Sequence, residues 1–203
     1  MAKRALDIVV SLILLIVFSP LMLVLALIIA LDMGWPAIFR QKRPGLHGKL
    51  FTMYKFRTMI SDESVDDTYR LTPISSFIRH ASLDELPTLF NVLKGDMSLV
   101  GPRPLMPQYL TLYTPEQARR HEVKPGVTGL AQAYGRRNLP FSKRFELDVY
   151  YVDHRSLWLD LKILLLTIPS VLFARGAKEP GAEVVDDLGL LASLDSPDGG
   201  KAP

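Results

Sequence analysis

The sequence contains no cysteine among its 203 residues. That removes disulfides, thiolate metal sites and a cysteine nucleophile, and suits a reducing, cytoplasmic setting. No segment reads as a DNA- or RNA-binding module, so nucleic acid is not an expected partner. Charge of neither sign dominates, the formal net value being +3. Charge is missing altogether from residues 8–31, a run bounded by Asp7 and Asp32. At about 1.5 Å per residue a helix of that length reaches roughly 36 Å, enough to cross a hydrocarbon core of about 30 Å.

Two features argue against a plain span. Ser19 and Pro20 stand at the midpoint of the run, and a proline in a helix interior removes a hydrogen bond and bends or breaks the helix. Lys3 and Arg4 flank one end while Arg40, Lys42 and Arg43 follow the other. Positive flanks at both ends place both ends in the cytoplasm, which one crossing cannot do. The expectation is a re-entrant helix-break-helix hairpin over residues 1–35, broken at Ser19 and Pro20 and entering one leaflet. A cleaved signal peptide fits less well, because the run is too long and no small-residue cleavage site closes it.

Beyond Trp35, whose ring suits a membrane interface, residues 37–41 and 50–56 read as strands of a small β-hairpin around a turn-rich centre. Lys55 near its end is either a solvated edge lysine or a cation aimed at a phosphate. Residues 61–70 are polar and acidic, a surface loop, and 74–79 a short helix. Ser82 with Glu85 three residues on is a capping-box spacing. It predicts a helix starting there, with Pro87 in the first turn and Gly95 closing it. Asp84 and Glu85 then lie adjacent at the positive end of a helix dipole, with Arg79 upstream and Arg103 downstream. Acids in a first turn commonly do no more than complement the dipole. Here basic and Gly-Pro segments follow closely, and a membrane element precedes them.

Gly101-Pro102-Arg103-Pro104 is forced into an extended backbone. Residues 108–113 and 115–121 look like short helical pieces, and 125–138 like a glycine-punctuated loop, too glycine-rich for a good helix but able to bring backbone N–H groups and Arg136 close to an anion. Residues 145–151 resume as helix, its aromatics in the core and Asp148, on periodicity alone, at the surface. Residues 156–173 are strongly apolar, and Trp158 and Lys162 suit a helix lying in the headgroup plane or packed against the base of the hairpin. The fold class is α+β and mainly helical. A membrane hairpin (1–35) precedes a cytoplasmic domain of short and interfacial helices with a small β-hairpin (36–175), then a flexible Gly-, Pro-, Asp- and Ser-rich tail (176–203). Basic clusters beside a membrane element point to anionic lipid headgroups or phosphorylated substrates.

The Ser19-Pro20 pair, Lys55-Phe56-Arg57-Thr58-Met59, Arg79 with Ser82-Leu83-Asp84-Glu85-Leu86-Pro87, Gly101-Pro102-Arg103-Pro104, Pro125-Gly126-Val127-Thr128-Gly129 and Asp148-Val149-Tyr150-Tyr151 occur in consistent order over residues 1–173. Each is weak alone. Together they resemble the small bacterial monotopic phosphoglycosyl transferases, the bacterial sugar transferase family of the PglC type. The resemblance implies transfer of a sugar 1-phosphate from a UDP-sugar to a polyprenyl phosphate such as undecaprenyl phosphate, yielding polyprenyl diphosphate-sugar and UMP. It further implies that Asp84 is the nucleophile, carrying a phospho-aspartyl intermediate in ping-pong chemistry, with Mg²⁺ held by this carboxylate on the diphosphate.

In the same resemblance Glu85 serves as general base or positions the acceptor. Lys55, Arg79, Arg103 and Arg136 bind substrate phosphates or nucleotide, and Asp148 is a further carboxylate needed for activity. The setting implied is the cytoplasmic face of the bacterial inner membrane, at the start of glycoconjugate assembly, with downstream glycosyltransferases as partners. Thr88, Leu99 and the Arg136-Arg137 pair stand where variation is expected. Nothing here resembles the additional membrane helices of larger members, so the minimal form is expected. A membrane-tethered scaffold or binding protein without turnover is the rival reading, and a phosphatase using the same aspartate, with water as acceptor, is a weaker third.

Overall fold

The computed structural model describes residues 2–59, 71–135, 139–172 and 186–190. In chain order, helix α1 (Ala2–Met33) leads to strands β1 (Ile38–Pro44) and β2 (Leu50–Phe56), then helices α2 (Pro73–His80) and α3 (Thr88–Lys94) and strand β3 (Ser98–Val100). Helix α4 (Pro115–Ala118), strand β4 (Gly126–Thr128) and helices α5 (Leu130–Gly135), α6 (Phe141–His154) and α7 (Leu157–Leu172) follow. The sequence reading of residues 61–70 as a loop, of Arg136, and of the tail beyond residue 190 lies outside the described residues. Within 176–203, residues 186–190 are described, and Leu190 there is buried against Leu105, Tyr109, Phe141 and Phe145.

Helix α1 is long and apolar enough to cross a membrane. It does not break at Ser19 and Pro20 as expected, but continues as one helix through the proline. The reason is local. A proline at position 20 deprives the Ile16 carbonyl of its helical N–H partner, and the Ser19 hydroxyl donates to that same carbonyl at 2.8 Å. One stripe of α1, including Asp7, Ser11, Leu15, Leu25 and Ile29, is buried. Leu12, Ile16, Val17, Leu23, Val24, Leu27 and Leu31 are bare on its other sides.

Both ends of α1 are clasped by the rest of the chain. Near its start the Asp7 carboxylate accepts from the Ser98 hydroxyl at 2.9 Å and the Leu99 N–H at 3.0 Å. Lys3 donates to Asp160 at 2.6 Å, and the Tyr151 hydroxyl donates to the other oxygen of that carboxylate at 2.7 Å. Arg4 donates to the Val92 and Leu93 carbonyls at 2.5 and 2.7 Å, closing the C-terminal end of α3, where a cation also complements the dipole. At the far end Asp32 accepts from the Thr72 hydroxyl at 2.6 Å and Arg57 donates to the Met33 carbonyl at 2.6 Å.

The hairpin forms as expected, with β1 antiparallel to β2 from Ile38 opposite Phe56 to Pro44 opposite Leu50. Buried Asn91 ties α3 to it, accepting from the Tyr54 N–H at 3.0 Å and donating to the Thr52 carbonyl at 2.7 Å. The capping box expected at Ser82 is absent. Ser82 has φ 57° and caps nothing, while a reciprocal box sits upstream between Thr72 and Ser75 at the start of α2. Leu83–Glu85 is instead a 3-10 turn running into α3, which Gly95 closes at φ 95° as the sequence predicts.

The glycine-punctuated stretch also differs from expectation, since Leu130–Gly135 is helical. Its glycines answer a different need. Strand β4 runs parallel to β3, and a Cβ on Gly126 would lie 2.1 Å from the Gly101 nitrogen, one on Gly129 2.2 Å from the Gly101 oxygen. Three glycines therefore let two backbones touch where the chain enters Pro102-Arg103-Pro104. Helix α7 lies where an interfacial helix was expected, with Asp160 and Ile163 buried and Leu157, Trp158, Leu161 and Leu165 exposed.

Candidate active site

Three elements bring charge to one place. Lys55 comes from the end of β2, Asp84 and Glu85 from the 3-10 turn, and Arg103 from the rigid extended segment after β3. Glu85 is gripped from two sides, its Oε1 accepting from Lys55 Nζ at 2.6 Å and from Arg103 Nη2 at 2.6 Å, with Arg103 Nη1 at 3.4 Å from Oε2. Asp84 is held much less. Among the described residues its nearest cation is Lys55 Nζ at 3.8 Å.

Two neighbouring carboxylates thus stand in opposite electrostatic states. Burial pushes Glu85 upward, but Arg103 and Lys55 outweigh it and hold the carboxyl well below the usual carboxylate range. Asp84 is raised, first by burial and then by the negative Glu85 beside it, against the opposing pull of Lys55, Arg103 and Arg79. One acid has spent its lone pairs on protein cations. The other is nearly enclosed and still short of positive charge, a state that a diphosphate-bound cation or a phosphorus centre would relieve. Ser82, two residues upstream, is a non-glycine residue in the left-handed region, a conformation that costs roughly 1 kcal/mol or more and is often found at functional turns.

The metal expectation can be tested on donor chemistry. Among the described residues no group of three His, Asp or Glu side chains could hold an ion, and the Glu85 oxygens are engaged by Lys55 and Arg103. Asp84 is the carboxylate left. One carboxylate completed by substrate phosphates and water is how Mg²⁺ is commonly bound, so the residues fit Mg²⁺ arriving with a diphosphate.

The remaining expected site residues divide. Arg79, from α2, is the weakest of three cations that pull the Asp84 pKa down, after Lys55 and Arg103. Arg136 lies outside the described residues. Asp148 is corrected in its placement: it is not a surface acid. It is 1% exposed and paired with an equally buried Arg120, whose Nη2 and Nε lie 2.7 and 3.1 Å from Asp148 Oδ2. The same Nη2 donates to the Arg103 carbonyl at 2.7 Å, and Nη1 reaches the Tyr113 hydroxyl at 3.0 Å. Asp148 therefore fixes Arg120, which fixes the backbone that aims Arg103 at Glu85. Sequence reasoning missed Arg120. Its signal was present, since Asp148 falls three residues from both Phe145 and Tyr151 on the apolar face of α6, and an acid there calls for a buried cation.

Because Asp148→Ala leaves Arg120 charged in an apolar setting, we expect a loss of about 3–5 kcal/mol in folding stability. Denaturant unfolding in detergent micelles checks it. A variant as stable as the parent but impaired in binding substrate would instead place Asp148 on the substrate.

The family described as bacterial sugar transferase matches residues 1–174. The chain is 52% identical over 182 residues to an uncharacterized sugar transferase, EpsL, of Bacillus subtilis, covering 87% of this chain and 90% of that protein. It is 44% identical over 185 residues to a UDP-glucose:undecaprenyl-phosphate glucose-1-phosphate transferase of Caulobacter vibrioides, covering 84% of this chain and 69% of the relative. Against an undecaprenyl-phosphate glucose phosphotransferase of Komagataeibacter xylinus it is 42% identical over 194 residues, and the match spans only 36% of that longer protein. With residues 1–174 matched and an opposed carboxylate pair at its centre, this chain belongs to the bacterial sugar transferase family.

Proposed function

We propose that the protein transfers a sugar 1-phosphate from a UDP-sugar to undecaprenyl phosphate by two displacements at Asp84. The names of the relatives in Caulobacter and Komagataeibacter supply the substrate class. The observation that carries the mechanism is the unequal treatment of Asp84 and Glu85 by Lys55 and Arg103. In the first displacement an Asp84 carboxylate oxygen attacks the phosphorus bearing the sugar. The bridging P–O bond breaks and its electron pair leaves on UMP, giving a phospho-aspartyl sugar. In the second, an oxygen of the polyprenyl phosphate attacks the same phosphorus and Asp84 departs as carboxylate. Mg²⁺ bound by Asp84 and the diphosphate would offset their mutual repulsion. Lys55 and Arg103 keep Glu85 anionic and offer the phosphates positive charge, while Glu85 holds both cations in register. Arg79 adds positive charge at the nucleophile.

The membrane placement we propose is monotopic, on the cytoplasmic face of the bacterial inner membrane, with α1 re-entering one leaflet and bent at Pro20, where the Ser19 hydroxyl takes up the carbonyl that the proline leaves without a helical partner. Support comes from the clasping of both helix ends, through Lys3, Arg4 and Asp7 at one end and Asp32 and Met33 at the other. A span would set those contacts on opposite sides of about 30 Å of hydrocarbon. The bare flank of α1, Trp35 and the exposed face of α7 are the apolar surface such a placement covers.

Membranes holding the wild type should release UMP from at least one member of a UDP-sugar panel when undecaprenyl phosphate and Mg²⁺ are supplied. Asp84→Asn should lower that rate about a thousandfold or more, and a labelled sugar phosphate should be trapped on Asp84 of the wild type when acceptor is withheld. An active Asp84→Asn protein overturns the covalent route. Lipid binding with no release from any donor would mark a membrane-tethered binding protein, and release to water alone a phosphatase.

The acid limb of kcat/KM should report Asp84, which reacts only when ionised. Its raised value puts the loss of activity at higher pH than for an ordinary carboxylate near 3.9. Glu85→Gln removes the like charge and frees Lys55 and Arg103, so the limb should move to lower pH whatever happens to the maximum rate. A limb that stays put or rises excludes Asp84 as its source. For topology, single cysteines at Ala2 and Gly34 should react with the same-side, membrane-impermeant thiol reagent in oriented vesicles; labelling from opposite sides means a span.

A further inference from the structure

Arg43 sits at the edge of this site and serves neither carboxylate. It projects from β1, where Nη2 donates to Gln41 Oε1 at 2.6 Å and Nη1 lies 3.5 Å from the Pro104 carbonyl, one residue beyond Arg103. Its Nε–H is buried and without a partner. Lys55 and Arg103 meet carboxylate oxygens at 2.6 Å, whereas among the described residues Arg43 has neutral oxygens only. Burial and the neighbouring Arg103 push its pKa down to about 10, which still leaves it a cation at neutral pH. A guanidinium held one residue along from Arg103, with a buried donor unused and no carboxylate partner among the described residues, is suited to an anion.

Which anion follows from where it sits. The charges acting on Asp84 are those of Glu85, Lys55, Arg103 and Arg79. Arg43 is not among them, and its Nη1 stands 3.5 Å from the Pro104 carbonyl beside Arg103, which puts it on the Arg103 flank of the site. With the transferred phosphorus at Asp84, a group on that flank meets the next phosphate along the donor. Resting on the sugar-phosphate transfer reading above, we propose that Arg43 binds the nucleotide phosphate of the donor, the one that departs in UMP, through its Nε–H and one Nη–H. No proton is transferred. When the bridging P–O bond breaks, the electron pair that stays on the UMP oxygen is met by a positive charge already in position, so Arg43 assists departure as well as binding. Gln41 is its brace, with Nε2 lying 3.4 Å from Met106 Sδ while Oε1 accepts from Arg43.

UMP and uridine, which differ by the phosphate, separate this role from a general one. In full-length protein in micelles, each is used as an inhibitor of UDP-sugar turnover by wild type, Arg43→Gln and Arg43→Lys. We expect UMP inhibition to weaken about tenfold or more in Arg43→Gln, the KM for donor to rise alongside it, and inhibition by uridine and the KM for undecaprenyl phosphate to stay as in wild type. Arg43→Lys, which keeps the charge but loses the Nε–H and the fork, should fall between. The proposal is overturned if the preference for UMP over uridine survives in Arg43→Gln, if both inhibitors weaken together, or if the acceptor KM rises in place of UMP inhibition. Should Arg43→Gln not fold, an undiminished UMP preference in Arg43→Lys overturns it equally. A wild type that turns over no UDP-sugar sinks the functional reading itself, and so is told apart from a failure of Arg43.

Discussion

Two oxygens of Glu85, two cations and one aspartate left over form the constraint on which the site depends. Side by side in sequence, Asp84 and Glu85 would repel if both were ionised and unpaired. The chain resolves this by giving nearly all the available positive charge to one of them. Such a triad is costly to desolvate and costly to break, because removal of either partner strands a buried charge. Its use is specificity. Glu85 sets the distance between a lysine on one strand and an arginine on a distant extended segment, and Asp84 inherits a fixed place between them.

Arg103 can meet Glu85 only because its backbone is fixed from behind. The close approach of Gly101 to Gly126 and Gly129 brings two backbones into contact, and prolines on either side of Arg103 restrict its rotation. The buried Arg120–Asp148 pair then takes up the Arg103 carbonyl. Replacing an irregular loop's freedom with glycine contacts, prolines and a buried ion pair is how a short segment without regular secondary structure becomes as rigid as a strand. Helix α1 contributes in the same way, since Asp7 binds the strand that leads into this segment and Lys3 the carboxylate behind it.

Much of this was legible in the sequence, for physical reasons that differ by element. The hairpin, the C-terminal glycine of α3 and helices α6 and α7 are local effects of periodicity and turn chemistry, and the structure has them. The acid pair was found from its charge and company, although the capping box invoked for it is not formed. At Ser82 the pull of Lys55 and Arg103 on Glu85 overrides the local cap, and no spacing rule contains a partner thirty residues upstream. Asp148 was misplaced because periodicity registers hydrophobicity and cannot see a buried cation coming from another element. The helix at 130–135 was missed because the glycines of 125–138 were counted against a helix and toward an anion, whereas Gly126 and Gly129, just ahead of it, are spent on backbone contact with Gly101. Pro20 was read as a break because the rule counts the N–H that proline lacks and not the hydroxyl beside it.

The clasping of α1 at both ends means that the apolar helix is not a leash. A tethered domain would wander above the bilayer and meet its lipid acceptor at whatever height its linker allowed. Here two elements that grip the helix, α3 and β3, run directly on from the turn of Asp84 and into the segment of Arg103, so in the placement proposed above Asp84 keeps one altitude over the lipid surface. Capture of a long-chain phosphate then becomes a search in two dimensions, by sideways diffusion within the leaflet, with no vertical component left to sample.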